Sequence, residues 1–197
     1  MPRGDVARRD PAILRPLRQG AGTWPMIWRW RRRPAAAIRR LCPEDAAIWR
    51  DLRLEALLHH PEAYGSSHDD WAGQPLSAFA ARLEKGTILG AFADQALIGS
   101  TALDPMPTDP RTGELTAVYV KTGHRGQGIA RALFRAAEVE AKAQGMTRLS
   151  LTVATSNAAA IRFYERAGFR SEGEAPRTLA SDGRLLELVR MARVIRA

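Results

Sequence analysis

The 197 residues suit one domain with a sizeable core, and 45% hydrophobic with 26% charged residues exclude a chain that is disordered throughout. No apolar run approaches a membrane-spanning length, and a single cysteine, Cys42, excludes an internal disulfide or a zinc site of several thiolates and fits a reducing, cytoplasmic setting. The net charge of +9 sits entirely at the N-terminus: residues 1–40 hold eleven arginines and two aspartates, whereas residues 41–197 balance nineteen cations against nineteen acids. The neutral body therefore carries no electrostatic footprint for nucleic acid.

Residues 1–36 show no sustained period and are broken by prolines at 2, 11, 16, 25 and 34. Trp24, Trp28 and Trp30 alternate with Arg29 and Arg31 to Arg33, a composition that suits RNA or an anionic membrane surface. The expectation is a disordered basic leader, with Met26 as an alternative start. It lacks the apolar stretch of a secretory signal and the serines of a transit peptide.

From Ala37 the pattern is regular. Ala37 to Leu41 reads as a strand, and Cys42-Pro43-Glu44-Asp45 opens a helix whose apolar face takes Ile48, Leu52, Leu54, Leu57 and Leu58. Pro61 ends it, residues 61–75 read as a loop, and Leu76 to Glu84 as a second helix stopped by Lys85-Gly86. Thr87 to Phe92 and Leu97 to Leu103 flank Asp94-Gln95, a hairpin signal. A proline-rich loop over 104–113 leads to a strand over Glu114 to Val120. Ile129 to Gln144 is strongly helical and stops at Gly145. Leu149 to Val153 is a buried-type strand, and Ser156 or Asn157 caps a helix that ends before Gly168. Phe169 to Glu172 and Leu185 to Val194 close the chain as strands joined near residues 181–183. Interleaved helices, strands and hairpins predict an α/β domain with a mixed sheet.

Two segments carry chemistry. The first is strand, turn, helix, with Arg125-Gly126-Gln127-Gly128-Ile129-Ala130 at the junction. Glycines at a helix start let a ligand approach the backbone, and the unpaired N–H groups there attract an anion such as a pyrophosphate. A nucleotide-binding P-loop would need Lys-Ser/Thr where Ile129-Ala130 stand, and a dinucleotide fingerprint would need a small residue where Arg131 stands. In the second segment Asn157 and Tyr164 are seven residues apart, so they share a helix face with Ile161 between them.

In this order the two segments resemble the GNAT superfamily of acyl-CoA-dependent N-acyltransferases over residues 37–195. The Arg/Gln-x-x-Gly-x-Gly/Ala loop is read at Arg125 to Ala130, and the Asn-x-x-Ala…Tyr-x-x-x-Gly-Phe segment at Asn157, Ala160, Tyr164, Gly168 and Phe169. The resemblance implies a mixed, mostly antiparallel sheet of about six to seven strands with about four flanking helices. Its central strands, 114–120 and 149–153, would splay to admit acetyl-CoA as co-substrate, with no metal. The backbone of Val118, Tyr119 and Val120 would pair with the pantetheine arm. Arg125, Gly126, Gln127, Gly128, Ile129 and Ala130 would cradle the pyrophosphate, and Asn157 would contact the arm.

By the same resemblance Tyr164 would be the general acid for the departing thiolate; a backbone N–H near Val118, freed by the splayed strand, is the candidate oxyanion donor, and Glu114, at the start of that strand, the candidate base acting through water. The acceptor, an amine of a small molecule or protein, would lie against residues 61–74 and 174–184, where Asp69 and Asp70 offer negative charge. The resemblance admits a homodimer, which no sequence feature decides. A second class also fits: a non-catalytic acetyl-CoA sensor whose basic leader binds a polyanion or membrane.

Overall fold

A computed structural model describes residues 36–179 and 184–195. Residues 1–35 of the basic segment and the turn at 181–183 lie outside the described residues. The chain forms seven strands: β1 (Ala37–Arg40), β2 (Thr87–Ala93), β3 (Ala96–Met106), β4 (Asp109–Val120), β5 (Arg148–Ala154), β6 (Arg170–Leu179) and β7 (Leu185–Val194). They make one sheet in the order β1-β2-β3-β4-β5-β7-β6, antiparallel at every step except the parallel β4–β5 pair. Five helices accompany it: α1 (Ala46–His59), α2 (His68–Ala72), α3 (Leu76–Lys85), α4 (Ile129–Ala143) and α5 (Ala158–Arg166). Among the described residues no helix is long and apolar enough to cross a membrane.

Strand alternation sends neighbouring side chains to opposite faces. Ile88, Leu97 and Ala102 pack with Trp49, Leu52 and Ala56 of α1 and Phe79 and Leu83 of α3. Their neighbours Leu89, Ile98 and Leu103 pack with Leu133, Phe134 and Ala137 of α4. The sheet is thus covered on both faces, which is why β2 reads as a continuous apolar run instead of an alternation.

Four expectations need correction. The strand expected over Phe169 to Glu172 runs on to Leu179 as β6, paired with β7 as far as Leu179–Leu185. The buried stripe of α1 is Trp49, Leu52, Arg53, Ala56 and Leu57, while Ile48 and Leu58 are exposed and Leu54 is half-buried. Spacings of three and four from Trp49 set that stripe, and an arginine stands in it. The segment 61–75 is not all loop, because Ser67 Oγ accepts the Asp70 N–H at 3.0 Å and caps the short α2. Nor is 104–113 a loop. β3 and β4 continue as a hairpin whose turn is held by Asp109, which accepts the Arg111 N–H at 3.1 Å and the Thr112 hydroxyl at 2.6 Å. Pro105 and Pro110 sit near the hairpin end, where a missing backbone donor is tolerated.

The entry into α1 rests on Asp45. Its carboxylate accepts both Arg39 nitrogens at 2.6 and 2.7 Å and the Cys42 N–H at 2.9 Å. The hydrogen-bonded Arg39 guanidinium holds this carboxyl well below the usual range against the opposing effect of burial. The depressed value makes the contribution full above the ordinary carboxylate pKa and erodes it as the pH falls toward the folded value. Asp45→Asn should therefore cost about 1–2 kcal/mol in urea unfolding at pH 7, a figure reduced for the half-exposed Arg39. The gap to wild type should close as the pH is taken down through the carboxylate range.

Candidate active site

β4 and β5 are paired only at Thr112–Arg148, Gly113–Leu149 and Glu114–Ser150. Beyond Glu114 they part. The register of β4 on β3 explains why: Thr116 faces Ala102 and Tyr119 faces Ser100, so β4 carries one extra residue. That bulge contains Ala117 at φ +51°, a left-handed conformation seldom taken by a residue with a side chain. After the bulge, Lys121 N–H donates to the Ile98 carbonyl at 2.9 Å, so Lys121 and Tyr119 turn their backbone groups toward β3. Those of Val118 and Val120 therefore face the gap. Side chains reach in to meet them: the Tyr64 hydroxyl donates to the Val118 carbonyl at 3.0 Å, and Arg125 Nε–H to the Val120 carbonyl at 2.9 Å.

The first turn of α4 borders the same gap. Gly126 and Gly128 have φ of +74° and +80°, and a Cβ at either would meet no atom within 4 Å. The loop is therefore an open cradle whose N–H groups precede a fifteen-residue helix. Gln127 Nε2 donates to the Gly123 carbonyl at 3.2 Å and ties the loop. Arg125 Nη2 lies 2.9 Å from His60 Nε2.

Asn157 caps α5, its Oδ1 accepting the Ala160 N–H at 3.1 Å. Tyr164 is set by an aromatic cluster: its ring stacks on Phe134 at 5.9 Å and meets Phe163 and Phe169 edge-on at 5.5 and 6.2 Å. Burial pushes its phenol up to about 12, so it keeps its proton at neutral pH.

One cavity of about 900 Å³ joins these parts. Of the residues anticipated from sequence, Val118, Tyr119, Val120, Arg125, Gly126, Gly128, Ile129, Ala130, Asn157 and Tyr164 line it. Gln127 does not; it serves the loop instead. Glu114 does not either: it lies where β4 is still paired with both Ser150 and Asp104, beside the wall residue Leu115. Asp69 and Asp70 are exposed outside the cavity, and none of the described residues in 174–184 lines it.

Several wall residues had no sequence signal strong enough to single them out. Tyr64 comes from the 61–67 segment and Trp71 from α2; Trp49 and Arg53 come from α1. Arg53 is 9% exposed, with its guanidinium 4.9 Å from the Tyr64 ring and 5.1 Å from Trp71. Burial lowers its pKa from the ordinary arginine value. Behind the wall, Glu55 accepts the Tyr119 hydroxyl and pairs with Lys121 Nζ, both at 2.9 Å. Burial and the bond to Glu55 push the Tyr119 phenol up to about 12. Among the described residues no group of three or more His, Cys, Asp or Glu is placed to hold a metal ion.

The sequence was compared with known proteins. It is 31% identical over 129 residues to a mycothiol acetyltransferase of Streptomyces scabiei, covering 64% of this chain and 40% of that protein. It is 35% identical over 75 residues to an L-methionine sulfoximine/L-methionine sulfone acetyltransferase of Pseudomonas paraeruginosa, covering 38% and 44%. The chain thus spans less than half the length of these curated relatives. The fold matches the yncA protein of Salmonella typhimurium, solved with its cofactor acetyl-CoA, at a TM-score of 0.66 and 24% identity, over 82% of this chain and 95% of that one. The Acetyltransferase (GNAT) family matches residues 27–169, most of the chain and a start ten residues before β1. By that match, and by a sheet parted at β4 and β5 above a glycine cradle, the chain belongs to the GNAT acetyltransferase family.

Proposed function

We propose that this chain transfers an acetyl group from acetyl-CoA to a primary amine by direct attack. The observation that carries the reading is the convergence in one cavity of the unpaired Val118–Val120 backbone, the open cradle before α4 and the protonated Tyr164. The residues present fit acetyl-CoA. No Cβ obstructs the cradle at Gly126 or Gly128, and two backbone residues of β4 are turned to a gap of ligand size.

Acetyl-CoA supplies the activated acetyl group as a thioester. The N–H groups of the 126–130 turn hold its pyrophosphate, with Arg125 exchanging His60 for a phosphate oxygen. Val118 and Val120 pair along the amide-bearing arm in place of a neighbouring strand, and Asn157 borders that arm. The Val118 N–H faces the gap and stabilises negative charge developing on the carbonyl oxygen. Tyr164 holds its proton at Oη and would donate it toward the departing sulfur, while the proton lost by the amine nitrogen passes to water and the phenol is reprotonated from solvent, so that amide and free thiol are the products. A phenol near 12 does not protonate a thiolate of ordinary basicity, near 8.5, in water. The burial that raises Tyr164 raises the pKa of a thiol in the same cavity, which brings the two together. Glu114, which does not line the cavity, is given no part. The two named relatives bear different acceptor names, so their names do not choose the amine.

Calorimetric titration tests the cofactor assignment. One-site binding of acetyl-CoA, with little binding of ATP, is expected. Gly128→Glu adds a side chain at φ +80° and a negative charge in the cradle, and should weaken binding by about a hundredfold or more. Normal binding by this variant would remove the loop from the site. Tyr164→Phe should leave the acetyl-CoA Kd within about twofold and lower kcat by about a hundredfold, the usual scale of a lost general acid. Unchanged turnover at saturating substrates would end the acid role.

A further inference from the structure

Among the described residues Arg53 is a buried cation without an anion. It stands in the otherwise apolar stripe of α1 and lines the cavity beside Trp49, Tyr64 and Trp71. Its Nη1 is fully buried and has no hydrogen-bond partner. Two aromatic faces flank the guanidinium, but a ring face supplies no oxygen acceptor for its five N–H donors. Among the described residues Glu62 is the acid that lines the cavity, and it and the acids that touch other wall residues are already engaged. Asp104 holds Arg82, Glu55 holds Lys121 and Tyr119, and Glu62 faces His60 at 3.4 Å. A buried charge of this kind is costly unless paired, and nothing in the described residues pairs it.

Tyr64 fixes where this group lies relative to the chemistry. Its ring packs on Arg53 while its hydroxyl bonds the Val118 carbonyl, in the backbone segment assigned to acetyl transfer. One tyrosine side chain thus separates the cation from that segment, a span suited to a small molecule with an amine at one end and an anion at the other. The charge balance indicates a monoanion. Arg82, the next cation at this end of the wall, is already neutralised by Asp104, and Arg125 and Arg131 are exposed at the α4 end, which leaves Arg53 as the buried arginine of the wall without a carboxylate among the described residues. A planar guanidinium facing one planar carboxylate satisfies two donors at once.

We propose that Arg53 binds a carboxylate of the acceptor, and that the acceptor is a small amino acid-like amine whose side chain rests on Trp49 and Trp71. The inference depends on the acetyl-transfer reading, so the test scores the two separately. Acetyl-CoA binding is measured first by calorimetry; a wild-type chain that does not bind it overturns both. CoA thiol release is then followed with the twenty protein L-amino acids, their decarboxylated amines and the matching aminoalkyl phosphonates.

For the best pair, kcat/KM for the amino acid should exceed that of its decarboxylated amine by about a hundredfold or more. Arg53→Met should shrink that ratio to about threefold or less, mainly by raising KM for the acid, with the acetyl-CoA Kd within about twofold of wild type. Arg53→Lys should recover part of the discrimination. The proposal is overturned if wild type binds acetyl-CoA but acetylates no amino acid, treats acid and amine alike, or prefers the phosphonate. It is also overturned if Arg53→Met keeps the discrimination. A second arm needs no variant: wild type should bind N-acetyl-L-phenylalanine at least tenfold more tightly than N-phenethylacetamide, and equal binding counts against the proposal.

Discussion

The site depends on the parting of β4 from β5. Two parallel strands in mid-sheet normally pair along their whole length, because buried backbone groups must find partners. Here pairing stops after three residues, and the bulge at Ala117 rotates the rest of β4. Gly113 marks the closed end. A Cβ there would come within 2.6 Å of Leu103 Cδ1 and 2.7 Å of Met146 Sδ, so core side chains close tightly over β4 just before it leaves β5. The backbone groups exposed by the separation are not abandoned, since Tyr64 and Arg125 satisfy two carbonyls. These are exchangeable partners. Replacing one hydrogen bond by another has a small net cost, so a ligand bearing amides can take their place without first repaying a buried defect.

The elements around the gap divide the work by their physical character. The α4 terminus offers backbone donors and a partial positive charge in exposed surroundings, where an anion can arrive from solvent. The α5 side is hydrocarbon: Phe134, Phe163 and Phe169 hold Tyr164 on three sides and account for its raised phenol. The α1 side is aromatic and cationic. One cavity thus presents wet, dry and charged walls in succession, each supplied by a different element.

Sequence reasoning recovered what is encoded locally. The α4 helix, its glycine start, the Asn157 cap and the Asp94 turn, with Asp94 at φ +53°, all arise from residues close in the chain. The seven-stranded, largely antiparallel sheet also agrees with the expectation, with five helices where about four were expected. What was not legible depends on long-range pairing. Glu114 looked suitable because it begins the strand that borders the gap, yet only the β4–β5 register shows that pairing persists through that residue. The proline-rich 104–113 segment reads as a loop until the β3–β4 ladder is known. Arg53 was hidden because an arginine interrupts the apolar period by which a buried helix face is recognised, and the bulky Ile48 and Leu58 drew the face to the wrong side.

The polar groups of the cavity differ in how they are satisfied, and that difference bears on specificity. Val118 and Val120 have side-chain partners, and Arg125 has His60. Arg53 has only aromatic faces. A group with a provisional partner gains little when a ligand replaces that partner, so it holds a common ligand without strong selection. A buried charge with no partner gains much from the right ligand and loses correspondingly with one that leaves it bare. On the proposed reading, the end that would take acetyl-CoA is arranged for exchange and the α1 end for discrimination. On this argument an arginine in an apolar helix stripe is a poor contributor to the stability of the empty fold, and its position is explained by the molecule that completes it.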